Sequence, residues 1–419
     1  MKNHTRIPEH STLTEDIAAS LRALPSGSRL SLRTLCTADE YAESLTPQRR
    51  HPHFHSETTT SRRILVLVSQ DGCLVAGLEA REFVTIVAGP RQATKVSLDA
   101  TIEKVDTTGH LATRMPLVRA LVLGYIRSLR RYRRALDTDV ANVHLFARAQ
   151  PEYLFAQSED NPNKHTLDDL ALVKWWYATL DAALGYAARG NNGQQSTTAT
   201  ADTTLTPKAQ ARARATPTAH CIIPGVDASE APWFSGHDTA VWSWGLPYPA
   251  KERAHDHVLQ FPDDPAARLL AKPHTDTWSV AALVDMLALS EECGAGRRAA
   301  FFSISVPFGP APAHREDAQD GCSAEPGRLT SADFSALMVA LFKESMDFST
   351  LNAARVSSER LDAFIASRFT TTNGACSIFS ADIDTQGPAL VRAQPVSAAQ
   401  PVAANDMTTL VRKKRKVAN

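Results

Sequence analysis

The sequence predicts an α/β protein, and three observations carry that expectation. Apolar residues recur with strand periodicity over Arg29–Thr37, Arg62–Ser69, Leu74–Val87 and Lys95–Val105. Helical spacing follows from Pro116 onward and over Thr166–Arg189, Leu329–Asp347 and Ser357–Arg368. Ile64-Leu65-Val66-Leu67-Val68 is an unbroken, mostly β-branched apolar run, as expected of a central strand buried on both faces.

The elements follow in order. Thr12–Leu24 opens with Thr12-x-x-Glu15, a capping-box pattern, and places Ile17, Leu21 and Leu24 at helical spacing. After the first strands, Gln70-Asp71-Gly72 supplies the residue types of a tight hairpin. The Lys95–Val105 strand stops at Asp106-Thr107-Thr108-Gly109. Pro116 suits a first helical turn, and Val118, Leu121, Val122, Tyr125 and Leu129 form the apolar stripe behind it. Val143–Arg148 reads as a short strand, and Thr166-x-x-Asp169 as the start of a long helix carrying Leu170, Val173, Tyr177, Leu180 and Leu184 on one face.

Residues 190–219 are rich in Gln, Asn, Thr and Ala without periodicity and read as a disordered insertion. Asp256–Lys272 reads as a loop with a short helix, Thr277–Glu292 as a helix ended by Gly294, and Ala299–Val306 as a strand. One domain is expected over residues 12–372, followed by a flexible tail, 373–419, whose basic run Arg412–Lys416 resembles a nuclear import signal.

Composition narrows the function. The 419 residues are 43% hydrophobic and 21% charged, with 45 basic against 45 acidic residues. Zero net charge argues against a nucleic-acid coat or sequence-specific DNA binding, which need a basic excess. The six cysteines have no zinc or redox spacing and read as reduced structural thiols. Met1–Ser11 carries no apolar signal core, and no apolar run approaches the roughly 18 residues of a membrane span. His51-Pro52-His53-Phe54-His55 lacks accompanying Cys or carboxylate pairs and reads as a loop, so no metal is expected.

Two stretches carry chemical information. The first runs Leu145-Phe146-Ala147-Arg148, then Gln150 and Tyr153-Leu154-Phe155, on to Lys164-His165-Thr166-Leu167 and Lys174-Trp175-Trp176. Adjacent tryptophans on a helix point about 100° apart, so one can pack while the other forms a wall for an aliphatic or cationic chain. The second is Phe261-Pro262-Asp263-Asp264-Pro265-Ala266-Ala267-Arg268. Asp264 suits an N-cap and Pro265 the first helical position. By chemistry alone, a helix start with two exposed carboxylates is the favoured account of the pattern.

Taken together and in order, these segments resemble the fungal histone acetyltransferases of the "regulator of Ty transposition" family. Ile223-Pro224-Gly225 and Asp106-Thr107-x-Gly109 fit as well. The resemblance implies a fold like the CREB-binding-protein acetyltransferase, a central mixed β-sheet flanked by helices, and transfer of acetyl from acetyl-CoA to lysines of newly made histone H3. It implies partners too, a histone H3–H4 dimer and histone chaperones, together with a nuclear location and roles in chromatin assembly and the DNA damage response.

Carried over by position, Val105, Asp106, Thr107, Arg114, Met115, Pro116, Leu117 and Val118 would lie along acetyl-CoA. Phe146, Gln150, His165, Thr166, Leu167 and Trp175 would line the rest of its site. Tyr153, Trp176, Asp263 and Asp264 would surround the acceptor lysine, with Asp106 near its entrance. The types suit the chemistry. A lysine ammonium has a pKa near about 10.4, so it needs desolvation and a carboxylate to become a nucleophile. Where the family carries a self-acetylated lysine after Asp-Asp-Pro, this chain has Ala266. That substitution leaves room for another reading, a non-catalytic chromatin adaptor or chaperone partner.

Overall fold

The computed structural model describes residues 9–46, 56–88, 95–113, 115–132, 140–192, 217–234, 241–262, 264–294, 298–307, 329–342, 346–369 and 378–388. The histidine string, Arg114, Asp263, most of the Gln/Thr-rich insertion and the basic end of the tail lie outside these residues.

The chain opens with helix α1 (Glu9–Arg22), one turn earlier than its capping-box pattern suggests, so Thr12 lies inside the helix. Strand β1 (Arg29–Cys36), short β2 (Glu40–Ala42), long β3 (Ser56–Gln70) and β4 (Cys73–Ala88) follow. The predicted turn joins β3 to β4, with Asp71 and Gly72 at φ values of 50° and 75°. Two consecutive left-handed residues suit the right-handed strand twist, which is why Asp-Gly closes this hairpin.

β5 (Lys95–Thr107) leads through α2 (Leu117–Tyr132) to β6 (Val140–Ala147), and β5 and β6 pair in parallel. A parallel pair needs such a crossover, and it makes the sheet mixed. α3 spans Asp169–Asn192. Asp168 Oδ1 accepts the Ala171 N–H at 2.7 Å, so the cap is Asp168 rather than Thr166.

Besides the short β2, three strands lack a sequence signal. β7 (Thr218–Ile222) lies at the end of the predicted insertion, and β8 (Trp242–Trp244) is short. They are followed by helices α4 (Ala254–His257), α5 (Pro265–Leu270) and α6 (Val280–Ala288), then β9 (Ala300–Pro307), α7 (Ser331–Phe342) and α8 (Leu351–Phe369). The third, β10 (Ile378–Asp384), falls in the stretch read as tail and pairs with β1 from Arg29↔Asp384 to Leu35↔Ile378.

The sheet order is β10-β1-β3-β4-β5-β6-β9-β7-β8, with β2 beside β3. Its even-numbered residues in β3 and β6's Val143 and Leu145 meet α1, α2 and α3 in the main core, where Ile17, Tyr125, Val173 and Trp176 are buried. On the other face, α7 and α8 cover Leu35, Leu65 and Leu67 at one end of the sheet. Helices α4–α6 pack on Phe301 and Phe146 at the other end. Between these caps, among the described residues, no helix covers the face over β5 and β6. No described helix is long and apolar enough to cross a membrane. Cys36, Cys73, Cys221 and Cys293 are buried, unbridged thiols.

Candidate active site

The gap between the two caps is a cleft of about 220 Å³. Strict alternation along β6 buries Ala141, Val143, Leu145 and Ala147 and turns His144 and Phe146 to the opposite face. There they meet Thr101, Glu103 and Lys104 of β5, Ser303 of β9, Tyr248, and Phe261, Pro262, Asp264 and Ala266. Phe261 closes the cleft by packing on Phe83 and His144, with ring centroids 5.6 and 5.1 Å away.

Asp264 is the cap of α5, as its position before Pro265 predicts: its Oδ1 accepts the Ala266 N–H at 2.9 Å. It also lines the cleft, and burial pushes its carboxyl up to about 6 against the pull of the Ala266 N–H, Arg268 and His144. The same side chain is therefore a cap and a desolvated carboxylate facing a cavity. Beside it, His144 Nδ1 lies 3.1 Å from Ser303 Oγ, and Nε2 lies 3.4 Å from Asp99 Oδ1. Burial pushes the Tyr248 hydroxyl above its ordinary range.

Asp106 is committed to the protein. Its Oδ2 accepts the N–H groups of Tyr153 and Leu154 at 2.8 and 2.9 Å, and Phe155 N lies at 3.4 Å. Oδ1 accepts from Thr107 N and pairs with Lys164 Nζ, both at 2.8 Å, with both ionic side chains buried. This carboxylate pins the Tyr153–Phe155 loop and the Asn161–Lys164 loop to the end of β5. Gly109, at φ 81°, lets the second loop approach: a Cβ there would lie 2.7 Å from Lys164 N.

Tyr153 is held in turn. Its hydroxyl donates to the Arg148 carbonyl and accepts the Gln150 N–H at 2.9 Å, and burial pushes it up to about 12. It lines a second cleft of about 240 Å³ with Lys104, Leu154, Met338, Val339 and Phe342. Lys104 lines both clefts, so they adjoin at that residue. Trp176 is 5% exposed in the main core under α3, and half-buried Trp175 meets it edge-on with centroids 4.9 Å apart. Neither Tyr153, Asp106 nor Trp176 lines the cleft that holds Asp264.

The other predicted residues divide in the same way. Phe146 lines the Asp264 cleft. Val105, Met115, Val118 and Trp175 are half-buried and pack against the main core. Leu117 begins α2 and is buried there, after Met115-Pro116, whose Pro carbonyl accepts the Ala120 N–H. Thr107 ends β5, with its hydroxyl on the Val75 carbonyl. Gln150 follows β6, and His165, Thr166 and Leu167 form the approach to α3. The residues that sequence reasoning missed are Glu103, Lys104, His144, Tyr248, Ser303 and Lys164. For His144 a signal existed, since it shares a strand face with Phe146.

The chain matches the family profile of the histone acetyltransferase KAT11-type domain over residues 135–381. It is 27% identical over 330 residues to histone acetyltransferase rtt109 of Aspergillus flavus, covering 68% of this chain and 55% of that one. It is 28% identical over 168 residues to histone acetyltransferase rtt109 of Schizosaccharomyces pombe, covering 39% and 41%. The matches thus span about half the length of these relatives. The crystal structure of Rtt109 from Aspergillus fumigatus superposes with a TM-score of 0.63 at 22% identity, covering 89% of this chain and 99% of that one. That likeness establishes the expected fold.

Proposed function

Because this chain belongs to the histone acetyltransferase KAT11-type domain family, we propose that it transfers acetyl from acetyl-CoA to lysines of histone H3. The observation that carries the reading is Asp264, a carboxyl desolvated at the wall of a cleft between two helical caps. A buried carboxylate attracts an ammonium, and the aromatic walls Phe146 and Phe261 accommodate the methylene stem that bears it. Asp263 precedes it in sequence and is assigned to the same acceptor site.

Acetyl-CoA supplies the activated acyl group. The features that fit it lie at the rim where β5 and β6 end in parallel and α2 begins. The 16-residue α2 begins there, and the positive end of its dipole favours phosphate. Met115, Pro116, Leu117 and Val118 form that start, with Arg114 assigned beside it. Val105, Thr107, Phe146, Gln150, His165, Thr166, Leu167 and Trp175 are assigned to the remaining walls, apolar where the pantetheine arm needs them. Trp176 supports this wall by fixing Trp175, and Tyr153 guards the route past Lys104. Asp106 acts by holding the Tyr153 loop.

Mass spectrometry of an H3–H4 dimer incubated with the full chain and acetyl-CoA tests this reading, with and without histone chaperones. H3 should gain acetyl groups, more with a chaperone, and saturating acetyl-CoA should raise the melting temperature. A folded protein that showed neither acetylation nor a thermal shift would make the non-catalytic adaptor the better account. The basic run Arg412–Lys416 points to a nuclear location. Deleting residues 412–419 should reduce nuclear fluorescence of a tagged chain without lowering its melting temperature; unchanged accumulation would assign the run to a chaperone contact.

A further inference from the structure

The β4–β5 ladder carries a bulge that changes the chemistry of the cleft. Glu79 stands opposite Lys104 and Ala80 opposite Ile102, so Glu103 has no residue facing it. An extra residue in one strand re-aims side chains. Here it delivers both Glu103 and Lys104 to the cleft wall, on the surface that also carries Asp264 and His144.

The cations near Glu103 act on it only through space. Glu79 is fully buried, and its two oxygens engage two of the three cations that act on Glu103: Oε1 pairs with Arg63 at 2.7 Å and Oε2 with Lys104 at 2.9 Å. Arg63 also lies over the Phe334 ring, and Arg81 over Phe83. Among the described residues no hydrogen bond or ion pair reaches the Glu103 carboxyl. Of the other titratable groups of the cleft, His220 also lines it, and the rest have partners in the protein. Asp264 Oδ1 caps α5, His144 sits between Ser303 and Asp99, and Tyr248 Oη accepts from Leu259 N at 3.5 Å.

We propose that Glu103 takes the proton from the acceptor ammonium while Asp264 holds that ammonium in place, an inference that rests on the acetyl-transfer reading above. One ammonium proton passes to the Glu103 carboxylate. The amine nitrogen then bonds to the acetyl carbon as the carbon–sulfur bond breaks and its electron pair leaves on sulfur. The second nitrogen-bound proton ends on that sulfur, and Glu103 returns its own to solvent through the cleft.

The electrostatics agree with this division. Burial, and then the charge of Glu79, push the Glu103 carboxyl up to about 7, against the pull of Arg63, Arg81 and Lys104. A base of that strength is largely ionised slightly above neutrality and still accepts a proton well.

The test is the pH profile of acetyl transfer by the full chain, native and Glu103→Gln. Native turnover should rise through an acid limb near pH 7, matching the carboxyl at about 7. Glu103→Gln should lose the limb near pH 7, leaving only the lower one near pH 6 that belongs to Asp264, and about two powers of ten in kcat near neutrality, regaining rate at high pH where the amine ionises unaided. Glu103→Asp, with a shorter reach, should keep the limb at a reduced rate. A uniform loss with the limb intact, or full activity in Glu103→Gln, overturns the assignment. Infrared difference titration of native against Glu103→Gln reads the carboxyl without turnover. A missing carboxyl near pH 7 refutes Glu103 as the base; its presence in a protein that transfers no acetyl refutes the acetyl-transfer reading instead.

Discussion

Asp264→Asn should lower histone acetylation at least about a hundredfold, because an ammonium in the buried cleft without its carboxylate partner is destabilised by about 3 kcal/mol or more. Asn caps a helix as well as Asp, so α5 keeps the Ala266 N–H bond and the fold survives. What is lost is the negative charge facing the cleft. Stability should move the other way. Burial raises the Asp264 carboxyl to about 6, so the folded state holds this proton more tightly than the unfolded chain does. Stability from that proton is complete at low pH, below the ordinary carboxylate range, and is lost as pH rises through about 6. The Asn variant, with nothing to ionise, should therefore melt at or above the native temperature at about pH 7.5, and that advantage should close toward about pH 4. Acetyl-CoA affinity should be unchanged. Near-normal acetylation by a stable Asn variant would reduce Asp264 to a cap.

The largest expected loss of stability is at Asp106. Removing its carboxylate strands the buried Lys164 ammonium and frees the N–H groups of Tyr153 and Leu154. Breaking a buried ion pair from one side costs about 3–5 kcal/mol. Asp106→Ala should show that loss in urea unfolding, with faster amide exchange at residues 153–155. Adding Lys164→Met should restore part of it, because the stranded charge is then gone, and a double-mutant cycle separates the terms. A loss below about 1 kcal/mol, the range of exposed ion pairs, would mean that solvent reaches this carboxylate and that the Tyr153 loop is held by other contacts.

The two carboxylates show why the sequence told them apart only in part. Asp264 before Pro265 is legible as a cap because capping is local: the side chain bonds a backbone N–H two residues on. The partners of Asp106 lie between 47 and 58 positions away, apart from Thr107 beside it, so only the folded chain reveals an anchor there. The same contrast holds for helix starts. Thr166 and Asp168 offer similar caps, and tertiary packing selected the second.

The sequence by itself determined what repeats over short distances. It set the alternation of β1 and β3–β6, the Asp71-Gly72 turn, the apolar stripe of α2 and the ordered motifs that identify the family. Periodicity records which residues share a face, and that is enough to build a sheet with helices on it. Only the tertiary structure decided which face meets which partner. β2, β7 and β8 are too short to announce themselves, β10 lies in a stretch whose composition reads as tail, and all four exist because a neighbouring strand leaves hydrogen-bonding groups to be paired. Trp176 faces the main core rather than the Asp264 cleft because α3 packs on the opposite side of the sheet. Glu103 reaches the cleft through the slip in register between β4 and β5. A slip of one residue leaves composition and local pattern untouched, yet it moves a side chain to the other face.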